Sequence, residues 1–182
     1  GRDVISRSQE SILAELASIA AHPDFRGTVP DLGGPSANMW GYTCSRERPC
    51  RRPSCLWPEP CKHLQGDQGA VAALLRAASQ VPGVRKLFVT TGLRMDLALA
   101  SEAYCRALMG AHTSGHLKVA PEHASPEVLR LMGKPGNDSL RGFCELFQRL
   151  GSEAGKEQYP TFYFVAAHPG CSEEAMRRTR AF

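Results

Sequence analysis

Apolar positions along this chain fall into two kinds of run, one spaced by three and four residues and one nearly continuous, and the two kinds alternate. Residues 6–21 are helical by this reading: Ile12, Leu13, Leu16, Ile19 and Ala20 share one face, Ser6 and Gln9 fit a capping box, and Pro23 lies just past the end. Residues 25–32 form a short strand. Residues 68–79 form an Ala/Leu helix that stops before Val81-Pro82-Gly83. Residues 86–91, Lys-Leu-Phe-Val-Thr-Thr, are apolar enough for a strand covered on both faces. A helix over 96–109 follows, then a strand over 116–120. Residues 126–132 form a short helix with Ser125 as N-cap and Pro126 at its first position. A longer helix spans 139–154, a fourth strand 159–167, and a last helix opens at 172–179 with Glu173 and Glu174 in its first turn.

Repeated strand–helix units build a parallel sheet with helices packed on it. A chain of 182 residues is most simply one domain, residues 1–182, with the Cys-, Arg- and Pro-rich stretch 40–66 inserted after the first strand. The first helix has no strand before it, and residues 180–182 lie inside a helical pattern with no capping glycine. Four parallel strands with an open edge on each side make an incomplete barrel. The expected fold is therefore α/β, a partial (β/α) TIM-like barrel of about four parallel strands with helices outside, and the chain reads as a fragment of a longer protein.

Composition leaves this picture standing. No apolar run approaches the ~18 residues of a membrane span, so no membrane partner is expected. Gly1-Arg2-Asp3-Val4 lacks the apolar core of a signal peptide, which points to the cytoplasm. In that reducing compartment clustered cysteines favour metal binding over disulfides. The net charge of +4 permits a nucleic acid or other anionic partner without calling for one.

Candidate chemistry collects in two places. Cys44, Cys50, Cys55 and Cys61 directly follow the first strand and its Asp31-Leu32-Gly33-Gly34 end. Four thiols suit a structural metal or a second cluster, and His63 could replace one of them. Their intervals of five, four and five residues are longer than those of zinc knuckles and most iron–sulfur runs. Free thiols in a Pro-rich loop and disulfides stay open as alternatives. Arg46, Arg48, Arg51 and Arg52 interleave with the thiols, either depressing their pKa values and meeting phosphate or forming a solvated basic loop. Cys105 and Cys144 lie within helical patterns and read as buried thiols.

The second place is the C-terminal ends of the four strands, where α/β proteins keep their sites. They read Asp31-Leu32-Gly33-Gly34-Pro35, Thr90-Thr91-Gly92-Leu93-Arg94, Pro121-Glu122-His123 and Ala167-His168-Pro169-Gly170. Glycines admit close backbone approach, carboxylates meet amines or ribose hydroxyls, Arg94 suits an anion, and His123 and His168 are further ligand contacts. Together they fit a small polar ligand carrying both charges, although any single end reads equally well as a solvated turn. Lys118 shares a strand face with Ala120 and Glu122, and it needs a partner if that face is the barrel interior. Arg94 and Asp96 read as a local pair at a helix start, His112 and His116 as loop and strand-edge residues, and Met95, Met109 and Met132 as core filling.

The third and fourth strands resemble the radical S-adenosylmethionine superfamily. His116-Leu117-Lys118-Val119-Ala120-Pro121-Glu122-His123 followed by residues 125–134 is similar to its strand ending in glutamate, then a short helix and a lysine; residues 163–174 are similar to its next strand and Pro-Gly turn. The match is closer to the YgiQ family, through Arg7-Ser8-Gln9-Glu10-Ser11-Ile12, residues 31–39, Ala120-Pro121-Glu122-His123 and residues 154–159. The resemblance covers nearly the whole chain. It implies an enzyme that binds a [4Fe–4S] cluster and S-adenosylmethionine, draws on an electron donor, and reductively cleaves the cofactor to a 5′-deoxyadenosyl radical that acts on an unidentified substrate. By it, Gly33 and Gly34 match the turn that meets the methionyl amine, with Pro35 where glutamate is usual. Glu122 matches the ligand-contacting glutamate, and Lys118 and His168 join the cofactor-binding set. The family's Cys-x3-Cys-x2-Cys run is absent from these 182 residues. Its place in the family is upstream of Gly1, so the fragment alone is expected to be inactive. A rival reading is a cytoplasmic zinc-binding α/β module whose basic cysteine loop contacts RNA or an acidic partner.

Overall fold

The computed structural model describes residues 5–34, 36–46 and 50–181. The elements begin with α1 (Gln9–Ala20), β1 (Thr28–Val29), β2 (Thr43–Cys44), β3 (Leu64–Gln65) and α2 (Gln68–Ser79). They continue with β4 (Lys86–Leu87), α3 (Met95–Ala98), α4 (Glu102–Ala111) and β5 (His116–Glu122). The last are α5 (Pro126–Met132), α6 (Asn137–Ala154), β6 (Tyr159–Phe164) and α7 (Glu173–Ala181). The protein is α/β, with short parallel strand pairs and helices; a closed barrel is not seen among the described residues.

β1 pairs in parallel with β4, Thr28 opposite Lys86, and β5 pairs in parallel with β6, His116 opposite Tyr159. A parallel bridge between Leu93 and Val119 links the two pairs, with the Leu93 N–H donating to the Lys118 carbonyl at 3.3 Å. The strands therefore follow one another in sequence order. The β1 ladder is shorter than the expected 25–32, with only Thr28 and Val29 in it. Single bonds continue it on both sides: the Phe88 N–H reaches the Val29 carbonyl at 3.0 Å and the Leu32 N–H the Phe88 carbonyl at 2.9 Å.

Helices cover one face of these strands. α1 packs on α2, α2 on α4, and α4 on α6. Val71, Leu75, Leu108 and Phe143 from the helices enclose Leu87, Val89, Leu117 and Val119 from the strands. The other face is open, which corrects the expectation that residues 86–91 are covered on both sides: Leu87 and Val89 are buried, while Phe88 and Thr90 are half-exposed. β5 alternates in the same way, burying Leu117, Val119 and Pro121 and leaving Lys118, Ala120 and Glu122 on the open face. β6 is exposed along most of its length.

Three local expectations change. Ser8 rather than Ser6 caps α1, accepting the Ser11 N–H at 3.2 Å. Ser6 instead accepts the Gly41 N–H at 2.9 Å. The helix expected over 96–109 is two helices, because Ser101 ends the first and caps the second by accepting the Tyr104 N–H at 3.2 Å. The third is the antiparallel β2–β3 pair, which closes the cysteine loop at its base, with Thr43 opposite Gln65 and Cys44 opposite Leu64. No helix among the described residues is long and apolar enough to cross a membrane.

Candidate functional site

The sequential strand order lines up the C-terminal ends of β1, β4, β5 and β6 along one edge of the sheet. At the first end Asp31 reaches across to the second. Its carboxylate accepts the Thr90 N–H at 2.8 Å, the Thr91 N–H at 3.2 Å and the Thr91 hydroxyl at 2.5 Å. Burial opposes ionisation of Asp31, but these hydrogen bonds outweigh it and lower its pKa. Asp31 thus clamps two strand ends together.

The glycines beside it differ. A Cβ at Gly33 would stand 2.7 Å from Thr91 Oγ1 and 2.8 Å from Thr91 Cβ, whereas one at Gly34 would meet nothing within 4 Å among the described residues. Gly33 is therefore demanded by packing, and Gly34 opens onto free space. Pro35, beside them, lies outside the described residues. Farther along the turn, Asn38 is fully buried and holds the loop after β4: its Oδ1 accepts the Arg94 N–H and its Nδ2 donates to the Arg94 carbonyl, both at 2.8 Å. Gln68 Nε2 donates in turn to the Asn38 carbonyl at 3.0 Å. Sequence reading missed Asn38; its only signal was an amide side chain in a short turn after a strand. Arg94 pairs with Asp96 as expected, Nε to Oδ1 at 3.0 Å.

At the third end Glu122 has φ 70°, and beyond the fourth Ala167 has φ 55°. Residues with a Cβ rarely take this left-handed conformation, and when they do it concentrates at functional sites. The cause at Glu122 is a register irregularity between Val119 and Glu122 where β5 meets β6, fastened by the Val165 N–H donating to the Glu122 carbonyl at 2.7 Å. The Glu122 carboxylate accepts from Lys134 Nζ at 2.9 Å, both side chains remaining partly exposed. Lys134 returns to the strand end because Gly133, at φ 64°, turns the chain back after α5. Lys118 lies half-exposed on the same face as Glu122.

The two histidines at these ends part company. His168 is half-exposed, its Nδ1 donating to the Pro169 carbonyl at 2.8 Å. His123 has no exposed surface. Its Nδ1 accepts the Ser125 N–H at 2.9 Å, so the neutral ring carries its proton on Nε2, which faces Cys171 Sγ at 3.3 Å. Burial, and secondarily the charge of His168, lowers its pKa. His123 is thus a buried fastener between the β5 end and α7, bonded also to Thr179 Oγ1 at 3.0 Å.

The cysteine loop forms a second cluster. Cys44 lies in β2 opposite Leu64, the Leu64 N–H donates to the Cys61 carbonyl at 2.9 Å, and the Cys61 N–H donates to the Cys55 carbonyl at 2.8 Å. Arg46 Nη1 stands 4.0 Å from Cys50 Sγ; Arg48 lies outside the described residues. The Cys55 thiol pKa is raised, first by burial and then by the thiols of Cys44, Cys61 and Cys50, against a smaller opposing effect of Arg52. All four thiols are free. Among the described residues no three His, Cys, Asp or Glu side chains stand close enough together to hold a metal ion, so the thiols are near neighbours without being converged. Cys105, by contrast, is sealed in the core and pushed up to about 12 by burial, and Cys144 is half-buried rather than buried.

No family model matches the chain. Individual relatives do. The chain is similar to UPF0313 proteins over nearly its whole length. It is 47% identical to one from Vibrio vulnificus over 180 residues, which is 97% of this chain and 23% of the relative. It is 43% identical to one from Methanocella arvoryzae over 94% of this chain and 29% of the relative, and 39% identical to one from Fusobacterium nucleatum over 97% of this chain and 32% of the relative. The chain therefore spans about a quarter of the length of the curated relatives it matches.

Proposed function

We propose that this chain is part of a radical S-adenosylmethionine enzyme. Its four parallel strands form one segment of a (β/α) barrel, residues 40–66 are an insertion in it, and the cofactor lies against the C-terminal strand ends. The observation that carries this reading is Glu122: a carboxylate held in a left-handed backbone conformation at a strand end, on the open face of the sheet. Strain of this kind persists where the surroundings enforce it, most often for a function. The resemblance of the β5 and β6 segments to the superfamily, and the similarity to long UPF0313 proteins, support it.

In this reading Glu122 accepts from the amine or a ribose hydroxyl of S-adenosylmethionine, and Lys134 fixes the carboxylate's direction. Gly34 lets the backbone approach the methionyl group, since among the described residues nothing stands over it. Lys118 shares the Glu122 face and adds positive charge near the cofactor carboxylate; His168 borders the site from the β6 end. A [4Fe–4S] cluster, when bound, would supply one-electron reduction, chemistry that belongs to the cofactor and not to these residues. No residue of this chain is assigned to that cluster, because the sequence has no Cys-x3-Cys-x2-Cys run; its ligands and the electron donor's contacts belong to other parts of the longer protein. The rival reading, a basic loop that contacts RNA, has less support. Arg52 turns inward and donates to the Ser54 and Glu59 carbonyls at 2.7 and 2.5 Å.

Titration calorimetry of S-adenosylmethionine into the longer protein tests the assignment. Glu122→Gln keeps the shape and removes the charge-assisted bond, so affinity falls by about 1.5–3 kcal/mol, roughly ten- to a hundredfold. Unchanged affinity would remove Glu122 from the site.

A further inference from the structure

We propose that Cys171 is a redox modification site, a thiol that a hydroperoxide oxidises to the sulfenic acid, and that the buried imidazole of His123 is the group that makes it so. The two side chains come from different elements. Cys171 lies in the turn between β6 and α7, where its N–H donates to the His168 carbonyl at 2.8 Å. Gly170 makes that turn at φ 84°, and a Cβ on it would stand 2.5 Å from Leu131 Cδ1, so packing against α5 fixes where Cys171 falls. Its thiol is free and half-buried, within reach of a small reagent. His123, just past the end of β5, is fully buried.

Ser125 decides what His123 can do. The Ser125 N–H donates to His123 Nδ1 at 2.9 Å, so the neutral ring keeps its proton on Nε2 and presents it to Cys171 Sγ at 3.3 Å. The ring is thus a fixed donor to the sulfur rather than a base for its proton, which leaves to solvent. Thiolate is the nucleophile in thiol chemistry, and partly exposed cysteines paired with a histidine are among those that react. The helix cysteines contrast with this: burial pushes Cys105 up to about 12 and raises Cys144, with Glu145 adding to the effect there. The first turn of α7 does not carry the reactivity, since Glu173 and Glu174 already stand in it. In the step itself, Sγ attacks one oxygen of the hydroperoxide. The S–O bond forms as the O–O bond breaks, sulfur loses two electrons, and the leaving oxygen takes up a proton in place of the one the thiol released, departing as water or an alcohol. The new oxygen has room nearby: Gly170 and Ser172, on either side of Cys171, line a cavity of about 210 Å³ between α5 and α7.

Hydrogen peroxide is the probe, with dimedone to trap sulfenic acid and mass spectrometry to place it. In the reduced chain Cys171 should take the dimedone label ahead of Cys144. Unfolding in urea gives a readout that needs no variant. It exposes every thiol, so Cys105 and Cys144 should be labelled faster, while Cys171, parted from His123, should slow. A thiol reactive through exposure alone would speed up instead. His123→Leu should slow Cys171 labelling by about tenfold, as losing one hydrogen bond at the reacting atom implies, and His123→Gln, whose side-chain amide can still donate, should retain most of the rate. No dimedone on Cys171, Cys171 labelled faster in urea, or an unchanged rate in folded His123→Leu would each overturn the proposal. A defect in S-adenosylmethionine binding would move none of these readouts.

Discussion

Gly33 and Gly34 stand side by side yet make different demands. Thr91 crowds the position of a Cβ at Gly33, and nothing crowds one at Gly34. Gly33→Ala should therefore cost about 1–3 kcal/mol, the usual penalty for overpacking, read by denaturant unfolding. Gly34→Ala should stay within roughly 0.5 kcal/mol of the parent and should weaken cofactor binding if the backbone there meets the ligand. Tyr104 gives the opposite case. Its ring is buried in the core and its hydroxyl has no hydrogen-bond partner among the described residues, so Tyr104→Phe should leave stability unchanged or raise it by up to about 1 kcal/mol. The histidines set a pH dependence. Burial holds His112 and His123 below the ordinary imidazole value of 6.5; at His112 it outweighs the hydrogen bond to the Leu87 carbonyl, with the charge of Lys156 helping, and at His123 the charge of His168 adds to it. Above that value neither state binds the protons. Below it the unfolded chain binds them first, so stability falls as pH drops through about 6.5 toward the lower folded values. Thermal melts from pH 7.5 to 5.5 should show this fall, and His112→Gln should shallow it. That the glycines and Glu122 stand at strand ends was legible in the sequence. The left-handed backbone at Glu122 was not, because a register irregularity between two distant strands leaves no local signature.

At the scale of elements, local chemistry decides what could be read. α2 and α5 begin and end where the sequence says, since Asp67 and Pro126 are strong start signals and Gly133 is a strong stop. The break between α3 and α4 was hidden inside one apolar run, and the two-residue β2–β3 ladder is too short to show a period. Ser8 was overlooked because Ser6 offered the same cap chemistry two residues earlier. Ser8→Ala should cost about 1 kcal/mol, and Ser6→Ala should instead loosen the loop that it holds through Gly41. Between α4 and α6, Glu102 and Glu153 alternate with Arg106 and Arg149 in a closed ring of ion pairs. Hydrogen bonds from Arg149 and Arg106 pull Glu102 down to about 2. These side chains face solvent, so the ring registers the two helices against each other while remaining sensitive to salt.

For the whole molecule, the helix-covered sheet with one open face accounts for both the candidate site and an expected weakness. The α/β alternation was plain in the sequence. That only one strand face is covered was not, because an apolar strand reads the same whether its far face is packed or waiting to be packed. Tyr159, Tyr163, Phe164 and Val165 on and just after β6 are 38–50% exposed, and among the described residues β6 pairs with β5 alone. Exposed edges and apolar faces promote association. The 182-residue chain should sediment as a concentration-dependent mixture, with Tyr163→Lys shifting it toward monomer; a monomer with one sharp, concentration-independent melt would count against the open-face account. The proposed role of the strand ends is to hold S-adenosylmethionine for reductive cleavage. Its most direct test is 5′-deoxyadenosine formation by the longer protein after anaerobic cluster reconstitution, with dithionite as reductant. 5′-Deoxyadenosine should accumulate, and Glu122→Gln should slow its formation at limiting cofactor. An intact, reducible [4Fe–4S] cluster that yields no 5′-deoxyadenosine would contradict this role.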